Sequence, residues 1–283
     1  MIDFRLTFLD VIVFIVFVYL RLNIKEKSMK IIKMILISMM VLCFINVTLA
    51  EESIDELSVD FSTFVLSRYV GVSGAVVHDD VVMQSGLYFE NLPVLPKGFY
   101  VDLWNSWSLD HGYMTDDYGD ELDYTFGWAG EFEEVQVDVG AAYFDYVDLL
   151  KGCDEDFMMF HAEIRKTETI PFSDIEISPF FRSETHVDLS SDSGDGIYLI
   201  AGIDNSFSFA ESFSLDQRLA LIYDSGAYHF GAGWVGNYGA DLNWKISDDI
   251  KITPLLFKVY LPENSADGKG PQTVIGSGIS IAF

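Results

Sequence analysis

Basic residues are scarce in this 283-residue sequence: 17 Lys and Arg stand against 44 Asp and Glu, a formal net charge of −27. Beyond residue 50 the imbalance sharpens to 11 basic against 41 acidic residues. A surface of that sign repels phosphate backbones and excludes nucleic acid as a partner. Cysteine is nearly absent. Cys43 lies in an apolar leader-like run, so the remainder holds Cys153 alone and has no internal disulfide. No long window after Glu51 carries the 3.6-residue period of an amphipathic helix.

Patterns that carry chemistry are also missing. There is no GxSxG turn to expose a serine and no His/Cys/Asp cluster at ligand spacing. Neither "DLSSDSGDG" nor "ENSADGKG" ends in the Glu that a calcium loop requires, so both read as solvated acidic loops. No cofactor and no metal are expected. His161, Glu163 and Arg165 share one side of a strand, and serines such as Ser178 on the next strand are candidates for a Ser/His hydrolase. The plainer reading is that His161 satisfies neighbouring carboxylates, and no enzyme is expected. Disorder is excluded too, because half of the residues are hydrophobic and 15% are aromatic.

Two apolar runs open the chain. The second, "MKIIKMILISMMVLCFINVTLA", has Lys30 and Lys33 before its apolar core and small residues, Thr48 and Ala50, at the places that precede a signal-peptidase cut. Residues 29–50 read as a signal peptide cleaved before Glu51. The run is short for a transmembrane anchor and no basic stop-transfer cluster follows it. Cys43 is no lipidation site, since Leu42 before it is bulky. The first run, "FLDVIVFIVFVYL", contains Asp10, and translation from Met29 makes residues 1–28 an upstream extension.

What fills residues 51–283 is alternation. "VQVDVGAAYF" sets Val135, Val137, Val139, Ala141 and Tyr143 against Gln136, Asp138, Gly140 and Ala142. "FSLDQRLALIY" sets Phe213, Leu215, Leu219, Leu221 and Tyr223 against Ser214, Asp216, Arg218 and Ala220. Strands are expected at 57–70, 81–91, 98–108, 119–132, 134–147, 156–169, 173–187, 195–210, 212–224, 235–247, 250–262 and 272–283. The breaks alternate as well. "EFEE", "PFSD", "AESF" and "SDD" are tight, whereas "LDHGYMTDDYG", "DLLKGCDEDF", "DSGAYHFGAGW" and "PENSADGKGPQ" are long and mostly acidic. Several strands exceed the usual soluble length of about 5–6 residues and suit a tilted span of about 9–11. Short turns at one end, long loops at the other and an even strand count predict an all-β, antiparallel transmembrane barrel of about 12 strands, with termini and short turns in the periplasm. Tyr69, Phe89, Phe99, Tyr143, Phe157, Tyr223, Tyr260 and Phe283 stand at strand ends and are expected in the interfacial girdles.

Three stretches, "LSVDFSTFVLSRYVGVSG", "GFYVDLWNSW" and "ELDYTFGWAGEFEEVQVDVGAAYFDY", resemble the TorF family of bacterial outer-membrane porins. The resemblance implies an outer-membrane barrel. It also implies that the final strand, with Ile279, Ile281 and Phe283 facing lipid, is the signal read by the outer-membrane assembly machinery.

Under this reading the lumen carries Asp60, Glu90, Asp102, Asp123, Asp138, Glu163, Glu176, Glu184, Asp216 and Asp241 against Arg68, Arg165, Arg182, Arg218, Lys245 and Lys251. Acids outnumber bases, and charged rings select by sign. The expected function is a passive channel preferring cations or neutral small solutes. The alternatives are a closed structural barrel, its lumen filled by salt bridges, and a barrel hydrolase acting on lipids.

Overall fold

The computed structural model describes residues 57–92, 95–109, 120–147, 156–170, 175–189, 194–229, 231–263 and 270–283. The expected signal peptide and upstream extension, Cys153, His111 and most of the long acidic loops lie outside the described residues. By internal contacts the chain divides into two units, 1–57 with 91–97 and 58–90 with 98–283. In the described part of the first, the Leu95 N–H donates to the Leu92 carbonyl at 2.9 Å.

The second unit is a sheet closed on itself. It begins with β1 (Ser58–Leu66), a two-stranded hairpin of β2 (Tyr69–Val70) and β3 (Val76–His78), β4 (Val82–Glu90) and β5 (Phe99–Ser108). The long strands β6 (Asp120–Phe132) and β7 (Val135–Val147) follow, then β8 (Phe157–Arg165), the short β9 (Glu168–Thr169) and β10 (Ile175–Asp188). β11 (Gly196–Ala210), β12 (Phe213–Asp224), β13 (Gly233–Lys245), β14 (Ile250–Pro262) and β15 (Gln272–Ala282) complete it. Leaving out the hairpin and β9, each strand pairs antiparallel with the next, and β15 pairs with β1. The result is a closed barrel of 12 strands. Closure is the only way a sheet satisfies every backbone N–H and C=O in hydrocarbon.

The side-chain alternation decides what each face meets. In β12, Leu219 and Leu221 are 63% and 50% exposed while Ala220 and Ile222 between and beside them are 6% and 4% exposed. The large leucines point outward, the reverse of a soluble protein, which is the pattern of a lipid-facing wall. Leu219 stands midway along its strand. Leu219→Arg is therefore expected to destabilise the barrel by about 2–4 kcal/mol, and Arg at the inward-facing Asn237 by far less. Guanidinium unfolding in lipid vesicles measures both, and equal midpoints would refute the assignment of faces.

Aromatic rings collect near the short turns. Phe207, Phe209, Phe213 and Trp244 form a chain with centroids 6.3, 6.0 and 5.9 Å apart. Toward the other end Tyr124 pairs with Tyr143 at 6.3 Å and Tyr223 with Trp234 at 5.1 Å. Three of the residues expected in the girdles turn inward instead. Phe157 is buried against Tyr228, Tyr69 packs on Trp104, and Tyr260 lines the interior. Phe89 is also buried.

Two irregularities depart from the strict period. The first strand ends at Leu66 rather than running to residue 70, because Tyr69 and Val70 leave the wall to pair with β3. In β14 the pairing slips by one residue on both its neighbours, between Ile252 and Leu255 against β13 and between Thr253 and Leu256 against β15, around Pro254. A bulge is where a strand tolerates proline, which has no N–H for the ladder. At the short turns, Lys166 bridges Glu168 and Glu134 at 2.8 and 2.9 Å. Hydrogen bonds to the two acids raise the Lys166 ammonium above its ordinary range, and the same contact lowers Glu134.

Candidate functional site

The interior is electrically divided. β1, β4, β5, β6 and β7 contain no Lys or Arg, and their inward positions include Asp60, Asp102, Glu121, Asp123 and Asp138. The other half of the barrel supplies Arg165, Arg182, Arg218, Lys251 and Lys258 among further acids.

The three arginines are tied down. Arg165 bonds Glu163 at 2.8 Å and Asp204 at 2.6 Å. Arg218 grips the same Asp204 through two nitrogens at 2.7 Å. Arg182 donates to Glu184 at 2.6 Å. Phe180 lies between Arg165 and Arg218, whose guanidinium carbons are 5.0 and 4.9 Å from its ring centre. Each cation thus keeps a carboxylate, and two of them also keep an aromatic face. The result is a braced wall rather than a row of free positive charges.

The acidic wall is braced differently. The Tyr100 hydroxyl donates to Asp138 at 2.8 Å and lies 3.1 Å from His161 Nε2, which is 3.2 Å from the same carboxylate. Tyr100 crosses the sheet to reach them by lying over Gly127, and His161 lies over Gly140, where a Cβ would come within 2.6 Å of its ring. Ser178, the serine considered for a hydrolase, bonds Thr167 at 2.8 Å instead. Among the described residues the Ser–His pair of such an enzyme is not assembled.

Two segments fold into the mouth opposite the short turns. The β2–β3 hairpin between β1 and β4 packs Val70 on Leu66, Val82, Leu256 and Val274. Its Tyr69 ring meets Trp104 of β5 at 5.7 Å and its hydroxyl reaches Glu121 of β6. Its Ser73 lies beside the Tyr198 hydroxyl on β11, and a Cβ added at Gly74 would stand 3.5 Å from Val235 and Pro262. The hairpin therefore touches walls all round the ring. The second segment follows β12. Asp224 accepts the N–H groups of Gly226 and Ala227 at 2.7 and 2.9 Å, and turns Tyr228 (φ 55°) inward onto His186 Nδ1 at 2.7 Å.

Beneath them is a cavity of about 770 Å³. Asp138, Glu163, Arg165, Glu176, Arg182, Asp216 and Arg218 line it, with Val72 of the hairpin among them. Asp60 and Lys251 line a second cavity of about 380 Å³ by the short turns. Asp102 and Asp123 stand on the inner faces of β5 and β6 and line neither of these cavities. Arg68 lies beyond the end of β1, at the root of the hairpin, where Asp79 and Gln272 hold it at 3.1 and 2.9 Å. Lys245 pairs with Asp248 in a turn at 2.7 Å. Ile279 and Ile281 occupy outward positions on β15, and the Phe283 side chain is exposed while its N–H bonds the Val59 carbonyl at 2.8 Å.

Sequence reasoning missed Asp204, Lys258 and Tyr260. The last two follow the β14 bulge, which reverses the inward parity set by Lys251. Only Pro254 marks that place in the sequence.

No family model and no curated protein matches the chain. Similar solved structures include a NanC porin at 11% identity, covering 79% of this chain and 98% of that one with a TM-score of 0.48. LpxR from Salmonella typhimurium is 8% identical over 79% of this chain and all of that one, with a TM-score of 0.49. An anion-selective porin from Comamonas acidovorans is 8% identical over 80% and 98%, with a TM-score of 0.39.

Proposed function

We propose that the barrel is an outer-membrane channel of the porin kind, passing small cations and neutral solutes in preference to anions. One observation carries the reading. A cavity occupies the lumen, one half-wall around that lumen is acidic without a single Lys or Arg, and the arginines of the other half are each neutralised by a carboxylate. The field across the lumen is therefore negative on balance, and low-dielectric walls focus it. The resemblance of three stretches to the TorF porins supports the same reading. With it, the outward apolar band sits in outer-membrane lipid, the short turns face the periplasm, and the final strand engages the assembly machinery.

The two inward segments favour a second reading, a closed structural barrel. Planar-bilayer recording on refolded residues 51–283 separates them. A channel gives current and a reversal potential of cationic sign in a salt gradient. Neutralising Asp123 and Asp138 together, both to Asn, is expected to leave folding intact and move that potential toward zero. Current that is absent from a folded barrel would establish the closed form, and an unmoved potential would remove these two carboxylates from the conducting path.

A further inference from the structure

Within the larger cavity, β13 and β14 hold two opposite charges that face one another with no direct ion pair or hydrogen bond between them among the described residues. Lys258 takes no part in the ion pairs that occupy Arg165, Arg182 and Arg218, and among the described residues no hydrogen bond holds its ammonium. Among the described residues the buried Oδ1 of Asp241 finds no hydrogen-bond partner. Both side chains line the cavity, with Tyr260 and Asn237 beside them. In the register, Lys258 faces Gly239 while Asp241 faces Leu256, so the two charges are diagonal neighbours. That offset sets their backbone positions roughly 7–8 Å apart, and among the described residues no direct ion pair or hydrogen bond joins the two groups. Gly239, having no side chain, leaves the space over it to the side chains of Lys258 and Arg218.

We infer that this diagonal pair is a binding site for a small zwitterion, its carboxylate on Lys258 and its ammonium on Asp241. Folded proteins rarely leave a buried acceptor empty-handed, and a desolvated one is completed by water, an ion or a ligand. A lone anion on Lys258 would be repelled by Asp241, and a lone cation on Asp241 by Lys258 and Arg218. A molecule carrying both charges a few ångströms apart satisfies both groups at once and adds no net charge to the lumen. The inference deepens the channel reading by naming a solute class, but its chemistry does not need the lumen to conduct.

The test is binding to the refolded barrel in detergent, followed by ligand-observed NMR titration. The probes are 4-aminobutyrate and three molecules of matched length: butyrate, butylammonium and 1,4-butanediol. The zwitterion is expected to bind at least about tenfold more tightly than any of the others, a difference of about 1.4 kcal/mol. Lys258→Met and Asp241→Asn should each abolish that advantage, while Lys251→Met, at the other cavity, should not. Heat-modifiable migration on gels verifies that every variant has folded. Equal binding of butyrate or butanediol would overturn the inference, as would no binding of 4-aminobutyrate to a folded barrel. Current measured on the same preparation separates the two readings. Binding without conductance leaves the site and removes the channel, and conductance without binding does the opposite.

Discussion

A chain carrying Gly278→Val is expected not to close its barrel, and to be recovered as aggregated or unfolded protein. Gly278 lies where β15 meets β1, opposite Phe64. The Phe64 ring crosses directly over it, and a Cβ placed there would also come within 2.5 Å of the Thr63 carbonyl oxygen. Gly276 stands in the same relation to Leu66, with the Val65 carbonyl at 2.5 Å. A side chain that collides with a neighbouring carbonyl cannot be relieved by a rotamer change, because the strand itself must move. Moving it breaks the pairing that runs from Asp60 with Ala282 to Leu66 with Gly276. Each backbone group then left facing hydrocarbon costs several kcal/mol, and no stability margin of a single domain absorbs a row of them. Ile279→Val, on the outer face of the same seam, is the control and should cost only about 0.5–1.5 kcal/mol. A Gly278→Val barrel that refolds with normal yield and normal heat-modifiable migration would show that the seam is looser than its geometry implies.

The seam illustrates what the sequence can and cannot tell. That residues 276, 278, 280 and 282 face inward follows from a period of two, and so does the position of Asp138, Asp216 and Arg218. The closed twelve-strand sheet was legible for the same reason, since every long strand repeats the pattern and the breaks alternate in length. The partners of those residues were not legible. Nothing local says that Asp204 holds both Arg165 and Arg218, because those residues come together only when three strands are set in register. The β14 bulge moved Leu256, Lys258 and Tyr260 from the expected outer face to the inner one, and Lys258 is the cation outside the arginine–carboxylate pairs described. The β2–β3 segment was hidden differently. "SRYVGVSG" continues the alternation of β1 through Val70, so the period runs on past the point where the chain turns into the lumen. Its turn comes from Gly74 (φ 81°), and half of the wall that buries it, Leu256 and Val274, comes from strands more than a hundred residues away.

That hairpin supports the second large effect. Replacing residues 69–78 with a short Gly-Ser link is expected to leave the twelve strands paired and to raise conductance several-fold, or to create it in a barrel that otherwise passes no current. Nothing in the wall's ladder depends on the hairpin, since β2 pairs with β3 and not with a barrel strand. Its loss does uncover Leu66, Val82, Leu256 and Val274, and removes Val70, which is 6% exposed. Burying a side chain of that size is worth about 1.5–3 kcal/mol, so the shortened barrel should be measurably less stable yet still folded. A twelve-stranded ring is wider than the eight-stranded kind that its own side chains fill, and narrower than the open 16–18-stranded porins, so an inward segment decides how much of the lumen is free. A gentler variant distinguishes position from mere bulk. Ser73→Ala with Tyr198→Phe keeps the hairpin's volume and removes the contact that holds its tip to β11. It should leave mean conductance close to that of the parent while increasing current fluctuations, because the tip is released without being removed. If the excised barrel folds and conducts no better than the parent, the constriction lies elsewhere, and Tyr228 on its Asp224-capped turn is the next segment to cut.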